Sequence, residues 1–246
     1  MPLSTAPWDA SLRTRIVRQY FMDSIPSDRG TRSAGAVAAT TFLCNGVNID
    51  TSAGAGRQWN FYELNHQIND FWEWPQEVMA FVHGATFTNP AGAQSVGIAI
   101  GGVGSIADGG EAGGLGLMAL RYRSPTQKWQ LRVWDGDGNS TDTDCTVQPA
   151  APEGVWLRML FIPRGSQFGG RQAQVQCWIG NPPALIHTQS DTTVDGIGSG
   201  SADFGAGVFA MSGSDAGGRV SDFIVSHFHA VSHMNMPGGV LERTAA

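Results

Sequence analysis

Lysine is almost absent from this chain, and charged residues of either sign are scarce. Lys128 is the single lysine among 15 basic residues, and charged residues make up 15% of the 246 positions. An average protein has about a quarter. The formal net charge is −6 and no basic run occurs. Nothing in this composition points to the positive surface that nucleic acid or an anionic membrane requires, so neither is an expected partner.

Cysteine and long apolar runs are also scarce. The three cysteines are Cys44, Cys145 and Cys177. Their odd number and wide spacing argue against a disulfide framework, and Cys177 is predicted to be a small buried hydrophobe. No apolar run approaches the roughly 20 residues that a membrane span needs. The first residues lack the charged and apolar regions of a secretory signal, so we expect synthesis in a cytoplasm.

The chain is rich in glycine and in short apolar segments. Its 33 glycines suit many tight turns, and 246 residues can bury a sizeable core. Residues 155–162 are apolar on both faces, which predicts a central, buried strand. Residues 172–179 alternate, which predicts a strand whose inward side chains are Ala173, Val175, Cys177 and Ile179.

Further strands are predicted over residues 40–49, 59–64, 77–83, 95–101, 117–123, 129–134, 208–211 and 222–228. In two of them alternation predicts which side chains share a face: Met118, Leu120 and Tyr122 in residues 117–123, and the inward Trp129, Leu131 and Val133 in residues 129–134. Turn signals such as Ser124-Pro125 and Asn181-Pro182-Pro183 separate them. In residues 95–101 the small side chains on one face should let another layer approach closely. About nine to eleven short strands with little helix predict one all-β sandwich or barrel.

The first 36 residues differ from the rest and are predicted to be an N-terminal arm. Leu12, Ile16 and Tyr20 have helical spacing, and Asp9 or Ser11 could cap a short helix over residues 11–22. The helix either packs on the sandwich or docks onto a neighbouring subunit. The docking residues would be Arg13, Ile16, Arg18, Tyr20 and Phe21. The predicted domains are therefore the arm 1–36, the sandwich 37–231 and a tail 232–246.

Three segments together resemble a known superfamily. The strand VWLRMLFIP, the alternating QVQCWIGNPP and the late GRVSDFIVSHF follow one another as in the concanavalin A-like jelly roll. That superfamily includes legume lectins, laminin-G-like modules and sandwich domains of tailed-phage virion proteins. The resemblance covers residues 37–230 and implies an all-β jelly-roll sandwich. Its members include binders, hydrolases and structural parts, so the fold alone does not choose a function.

An acidic loop follows the strand that ends at Trp134. Oxygen ligands at nearly alternate positions are typical of Ca²⁺ loops. Ser140 stands where the helix-loop-helix calcium pattern requires glycine, and Thr146 where it requires glutamate. The loop is therefore either a Ca²⁺ site or a solvated Asp-Gly hairpin turn. No other cofactor is expected. The candidate ligands are Asp135, Asp137, Asn139 and Asp142.

A pair of glutamates has the spacing of a glycosidase pair. In the laminarinase type of this superfamily, two glutamates four residues apart flank an aspartate on one strand face. Glu73 and Glu77 have this spacing, but Pro75 occupies the middle position. Proline cannot donate a hydrogen bond there and interrupts a strand. No Ser-His-Asp, Walker or dinucleotide motif occurs either. We therefore expect no enzymatic activity.

Histidines near the C-terminus offer a second metal hypothesis. His227 and His229 alternate along a strand, so they share a face, and His233 follows. Such a pair could bind Zn²⁺, or iron on a symmetry axis. The alternative is that these are ordinary surface or interface histidines.

Several tryptophans are predicted to point outward from their strands. They are Trp134 and Trp178, with Trp72 and Trp74 as further candidates. Exposed tryptophan is typical of subunit interfaces and of surfaces that stack on sugars.

These patterns predict a structural virion protein of a tailed bacteriophage: a head decoration, fibre or tail-associated subunit. It would act by assembly as a homo-oligomer, preferably a trimer, together with other virion proteins. The alternative is a glycan-binding, receptor-binding module that uses Trp134, Trp178, Asp135, Asp137 and Asn139. A polysaccharide-degrading enzyme is the third hypothesis. The expected location is the virion.

Overall fold

The protein is an all-β jelly-roll sandwich, which confirms the fold class predicted from the sequence. The computed structural model describes residues 14–21, 30–32, 40–43, 46–51, 57–66, 75–89, 94–102, 117–134, 140–163, 172–193, 204–212 and 220–233. Within these ranges the regular secondary structure is β-strand throughout. No helix of the described residues is long and apolar enough to cross a membrane.

The described residues form fifteen strands. In chain order they are β1 (Thr14–Phe21), β2 (Gly30–Arg32), β3 (Thr40–Leu43), β4 (Gly46–Ile49), β5 (Arg57–His66), β6 (Gln76–Phe87), β7 (Gln94–Gly102), β8 (Leu117–Arg123), β9 (Lys128–Trp134), β10 (Ser140–Asp144), β11 (Val155–Pro163), β12 (Gln172–Gly180), β13 (Pro183–Thr193), β14 (Phe204–Ser212) and β15 (Val220–His233).

The strands pair in two antiparallel sheets. The first sheet has the order β13-β12-β11-β6-β15-β4-β3, and β1 also pairs with β15. The second sheet has the order β10-β9-β8-β7-β14-β5-β2. The predicted central position of β11 is confirmed, because it pairs with β6 on one side and β12 on the other.

The core lies between the two sheets and follows from the alternation of the strands. On β12 the predicted inward residues Ala173, Val175, Cys177 and Ile179 are all buried. On β8 and β9 the predicted Met118, Leu120, Tyr122, Trp129 and Leu131 are buried as well. The Nε1–H of Trp129 donates to the Ala150 carbonyl at 3.1 Å, so this large indole is buried with its polar atom satisfied.

The predicted N-terminal helix is wrong over Thr14–Phe21, which forms β1. This strand pairs antiparallel with β15, from Thr14 opposite His233 to Phe21 opposite His227. Strand β4 occupies only Ile224 and Val225 of β15, so the rest of that edge is open to another strand. The β-branched and aromatic residues of β1 suit a ladder, and a sheet edge provides more hydrogen bonds than a short exposed helix.

Four predicted arm residues, Ile16, Arg18, Tyr20 and Phe21, therefore lie in a sheet of their own chain. Arg13 lies outside the described residues. Strand β2 also falls in the predicted arm and pairs with β5. Docking of the arm on a neighbouring subunit and the domain boundaries at 36/37 and 231/232 stay predictions.

Two strand predictions need further correction. Residues 40–49 were expected as one strand, but they form the hairpin β3–β4, with Leu43 opposite Gly46. Strands β10 and β13 were not predicted, because their polar sequences STDTD and PALIHTQSDTT lack apolar alternation. The predicted turn at Asn181-Pro182 is present, with a cis peptide bond.

The predicted close approach at β7 exists, but its partner is a neighbouring strand rather than another layer. A Cβ atom on Gly97 would lie 2.1 Å from the carbonyl oxygen of Leu120 in β8. No side chain fits at that distance, so the pairing of β7 with β8 requires glycine here.

Candidate functional site

The outer surface of the first sheet carries a group of partly exposed rings, here called the aromatic face. It consists of Phe81 on β6, Trp156 on β11, Trp178 on β12 and His227 on β15, together with the Arg158–Glu77 pair. This surface arises because successive side chains of a strand point to opposite faces of the sheet. Val78, Ala80 and Val82 point into the core, so Glu77 and Phe81 point outward. In the same way Leu157 and Met159 are buried, and Trp156 and Arg158 face out.

Three rings of the aromatic face, Phe81, Trp156 and His227, contact one another, and the neighbouring His83 contacts Phe81. Phe81 lies opposite both Trp156 and His227 in the strand registers. Its ring centroid is 5.2 Å from that of Trp156 and 6.4 Å from that of His227, both edge-on. Trp156 and His227 are 5.8 Å apart, and His83 lies 5.0 Å from Phe81. Edge-to-face packing at these distances is favourable and holds the rings in a fixed arrangement.

Arg158 links Trp178 to Glu77. Its guanidinium carbon lies 4.3 Å from the centroid of the Trp178 ring, a cation–π contact. Its Nε donates to Glu77 Oε1 at 2.8 Å, and its Nη2 donates to Oε2 at 3.3 Å. This two-point contact holds the fork in one orientation, and with it the tryptophan. Trp178 was predicted to point outward, and it is partly exposed. Its predicted role in ligand binding stays a prediction.

The glycosidase hypothesis receives little support from this arrangement. Glu73 lies outside the described residues. Pro75 is buried and directly precedes β6, so the middle position of the pattern holds no polar group. Both carboxylate oxygens of Glu77 accept hydrogen bonds from Arg158. Arg158 thus occupies both oxygens of this carboxylate, and the expected lack of enzymatic activity stays a prediction.

The acidic loop joins β9 to β10, on the second sheet. Asp135, Asp137 and Asn139 lie outside the described residues. Trp134 ends β9, opposite Ser140, but its side chain is not among the described ones. The aromatic face and the acidic loop therefore belong to different sheets.

Asp142, the remaining predicted metal ligand, lies between two arginines. Its Oδ2 accepts a hydrogen bond from Arg121 Nη2 at 2.7 Å, and its Oδ1 is 3.6 Å from Arg132 Nε. A cation at this carboxylate would have to compete with two guanidinium groups. No group of three or more His, Cys, Asp or Glu side chains within the described residues could hold a metal ion. The Ca²⁺ site stays a prediction.

Asp144, two residues further on, has a similar environment on the exposed surface. It pairs with Lys128 and accepts a hydrogen bond from Gln130 Nε2 at 2.8 Å. These contacts, that of Lys128 first, lower the pKa of Asp144. The acidic residues of β10 thus serve to hold the polar outer surface of β8, β9 and β10 together.

The predicted histidine pair is partly exposed on the outer surface of β15. His227 belongs to the aromatic face, and its Nδ1 lies 2.8 Å from the hydroxyl of Ser226. His229 follows two residues later, with the buried Phe228 between them. The side chain of His233 is not among the described ones. Zinc or iron binding by these histidines stays a prediction.

Three residues of the aromatic face were missed by sequence reasoning: Phe81, Trp156 and Arg158. The available signal was alternation along β6, where the residues flanking Phe81 are small and apolar. Trp156 was assigned to a strand buried on both faces, but it is partly exposed. Its exposure depends on what covers the outer side of β11, which a local pattern does not reveal.

Comparison with known proteins finds the same fold in carbohydrate-related proteins. No protein-family model and no curated protein sequence matches the chain. Among solved structures, endo-1,3-beta-glucanase from Streptomyces sioyaensis is similar with a TM-score of 0.55 and 10% identity, over 94% of this chain and 99% of that chain. Peanut lectin has a TM-score of 0.53 and 13% identity, over 90% and 99%. Laminarinase from Flavobacterium sp. UMI-01 has 0.51 and 9%, over 88% and 99%. These are concanavalin A-like sandwiches, so the predicted fold resemblance is confirmed.

Proposed function

We propose that this protein is a non-catalytic carbohydrate-binding module that holds its ligand on the aromatic face. The observation that carries the proposal is the pair of partly exposed tryptophans, Trp156 and Trp178, on the adjacent strands β11 and β12. The Arg158–Glu77 pair lies beside them. Flat apolar rings next to a few fixed polar groups are typical of small-molecule and sugar sites.

The strand register sets the distance between the two indole rings. Trp178 is the partner of Arg158, and Trp156 lies two residues before Arg158, so the two indoles are diagonal neighbours. Diagonal neighbours lie about 7–8 Å apart. The apolar faces of successive sugar units can stack on the two indoles, while Arg158 and Glu77 hydrogen-bond to hydroxyl groups. An open surface of this kind binds weakly, on the order of 1 mM per site, and gains strength from multivalent display.

The similar structures support the proposal at the level of the fold. They include a lectin and two enzymes named for glucan or laminarin substrates. The absence of catalysis is part of the proposal. Its support is the buried proline at position 75 and the engagement of Glu77 by Arg158.

The second candidate is the virion subunit expected from the sequence, which would assemble through the same surface. One observation favours it: Leu185 on the edge strand β13 is 40% exposed and lies opposite Trp178. This leucine adds an aliphatic side chain to the apolar surface, whereas stacking on a sugar needs only the aromatic rings. Aromatic residues with such neighbours are enriched in subunit interfaces.

One pair of variants separates the candidates. The test variants are Trp156→Ala and Trp178→Ala. The control is Val147→Ala, because Val147 is apolar, 53% exposed and outside the aromatic face. Binding is measured on arrays of polyvalent glycans, and mass by light scattering. A glycan-binding module loses glycan retention in the tryptophan variants and keeps its mass. An assembly subunit falls to a smaller mass in those variants. If both tryptophan variants keep mass and binding like the control, neither function uses this face.

A further inference from the structure

The two sheets are tied together at one edge by a short segment, residues 145–150, here called the edge seam. The N–H of Cys145 donates to the Trp129 carbonyl at 2.9 Å, which continues the β10–β9 pairing of the second sheet by one residue. Two residues later the N–H of Val147 donates to the Ile186 carbonyl at 2.9 Å, on β13 of the first sheet. The seam therefore crosses from one sheet to the other within two residues of Cys145.

A bulge in β13 directs side chains from the first sheet toward the seam. Cys177 lies opposite His187, and Trp178 lies opposite Leu185, so Ile186 is the extra residue of the bulge. Ile186 and His187 are both buried, at 3% and 8% exposure, as expected when two bulge residues point to one side. Ile186 belongs to the same buried core cluster as Cys177.

His187 connects the seam to Cys177. Its Nδ1 lies 3.2 Å from the hydroxyl of Thr146, the residue that follows Cys145. Its backbone is the cross-strand partner of Cys177, at a typical Cα spacing of about 5 Å. The Thr146–His187 contact therefore lies next to Cys145 on the second sheet and opposite Cys177 on the first. Both cysteines are free, buried thiols of the same core cluster.

The thiols are shielded in the folded chain. Burial raises the pKa of Cys145 to about 12. Burial also raises the pKa of Cys177 well above its ordinary value, and the nearby Cys145 adds to that rise. Protonated thiols do not attack disulfides, so any reaction belongs to folding or to opening of the seam.

We propose that Cys145 and Cys177 form a cross-sheet disulfide when the chain folds in the presence of a low-molecular-weight disulfide such as glutathione disulfide. The thiolate of one cysteine attacks a sulfur of glutathione disulfide, which releases one glutathione thiolate and leaves a mixed disulfide. The second cysteine thiolate attacks the protein sulfur of that mixed disulfide and displaces the second glutathione. The two cysteines are oxidised, one glutathione disulfide is reduced to two glutathiones, and the two thiol protons pass to the two leaving thiolates.

The bond would close a loop over residues 145–177, which contains β11 and most of β12. A closed loop of this length restricts the unfolded chain and should raise the melting temperature by about 10 °C. The odd number of cysteines, which argues against a disulfide framework, leaves room for a single bond and one unpaired thiol.

The test refolds the full chain from denaturant, once in glutathione disulfide and once in a reducing agent. Thiols are alkylated under denaturing conditions and the chain is cut with trypsin without reduction. Cleavage after arginine leaves Cys44, Cys145 and Cys177 in separate peptides, 33–57, 133–158 and 172–219. We expect a linked pair of the peptides 133–158 and 172–219, an alkylated Cys44 and a higher melting temperature in the oxidised sample.

Cys44→Ala serves as the matched control, because it removes the third thiol and should leave the linked pair in place. Cys145→Ala and Cys177→Ala should each abolish the linked pair and the gain in melting temperature. The proposal is overturned if the oxidised full chain has three alkylated cysteines, or if the linked peptides include 33–57. Because the peptide map needs only the unsubstituted chain, the result does not depend on any variant folding.

Discussion

The closest backbone approach described above allows a sharp prediction, the effect of Gly97→Ala. A methyl group at this position would lie 2.1 Å from the carbonyl oxygen of Leu120 and 2.9 Å from the Cα of Arg121. Both atoms belong to the backbone of β8, so neither can rotate away as a side chain would. Because ordinary contact begins at 3.4 Å, strands β7 and β8 must separate by about 1.3 Å around this point.

Such a separation weakens the ladder hydrogen bonds next to Gly97, the third of the seven β7 residues that pair with β8. Two weakened bonds at about 1 kcal/mol each, with the strain of overpacking, give a loss of about 3 kcal/mol in the free energy of unfolding. For a chain of this size the corresponding fall in melting temperature is about 9 °C.

The matched control is Gly84→Ala on β6, where a methyl group would meet nothing within 4 Å. Urea unfolding followed by tryptophan fluorescence should show an unchanged or slightly raised midpoint for this control, because alanine restricts the unfolded chain more than glycine does. Equal midpoints for Gly97→Ala and Gly84→Ala would refute the reasoning, since the close approach of β7 and β8 would then not exist in solution.

Two further predictions concern the polar surface of the second sheet. Asp142→Asn removes the negative charge from Arg121, whose side chain is only 4% exposed, and should lower the free energy of unfolding by about 2 kcal/mol in urea titrations. The exposed Asp144→Asn should leave the urea midpoint at neutral pH nearly unchanged, and a larger loss there than for Asp142→Asn would contradict the burial argument. Because the folded pKa of Asp144 is lowered from 3.8, its small contribution is complete above that pH and is lost as the pH falls through the folded pKa. The urea midpoint of the parent chain should therefore fall between neutral pH and about pH 3, and that of Asp144→Asn should fall slightly less.

The proposals use opposite sides of the first sheet, since Cys177 faces the core and the next residue, Trp178, faces outward, and they can fail separately. The aromatic face lies on the outer surface of the first sheet. The cysteines lie inside the sandwich, where the edge seam meets β13. Loss of the disulfide would leave Trp156 and Trp178 in place, and loss of glycan binding would not alter the peptide map.

Sequence reasoning worked best where one strand face is buried. The alternation of β12 and β9 identified their inward residues, because burial of one face imposes a period of two on the sequence. It worked least well where neighbours decide the outcome. Strand β10 reads STDTD and has no apolar period, but it forms because Arg121, Arg132 and Lys128 provide partners for its acidic residues.

The sequence by itself determined the class of fold, the core strands and the low charge that makes nucleic acid an unexpected partner. Local alternation and turn residues carry that information, since each strand reports its own buried face. Only the tertiary structure decided that Thr14–Phe21 is a strand and that Phe81, Trp156 and Arg158 share a surface with Trp178. It also decided that His187, the strand partner of Cys177, contacts Thr146 beside Cys145. These facts depend on which strands pair and in which register, and residues far apart in the chain meet only through that pairing.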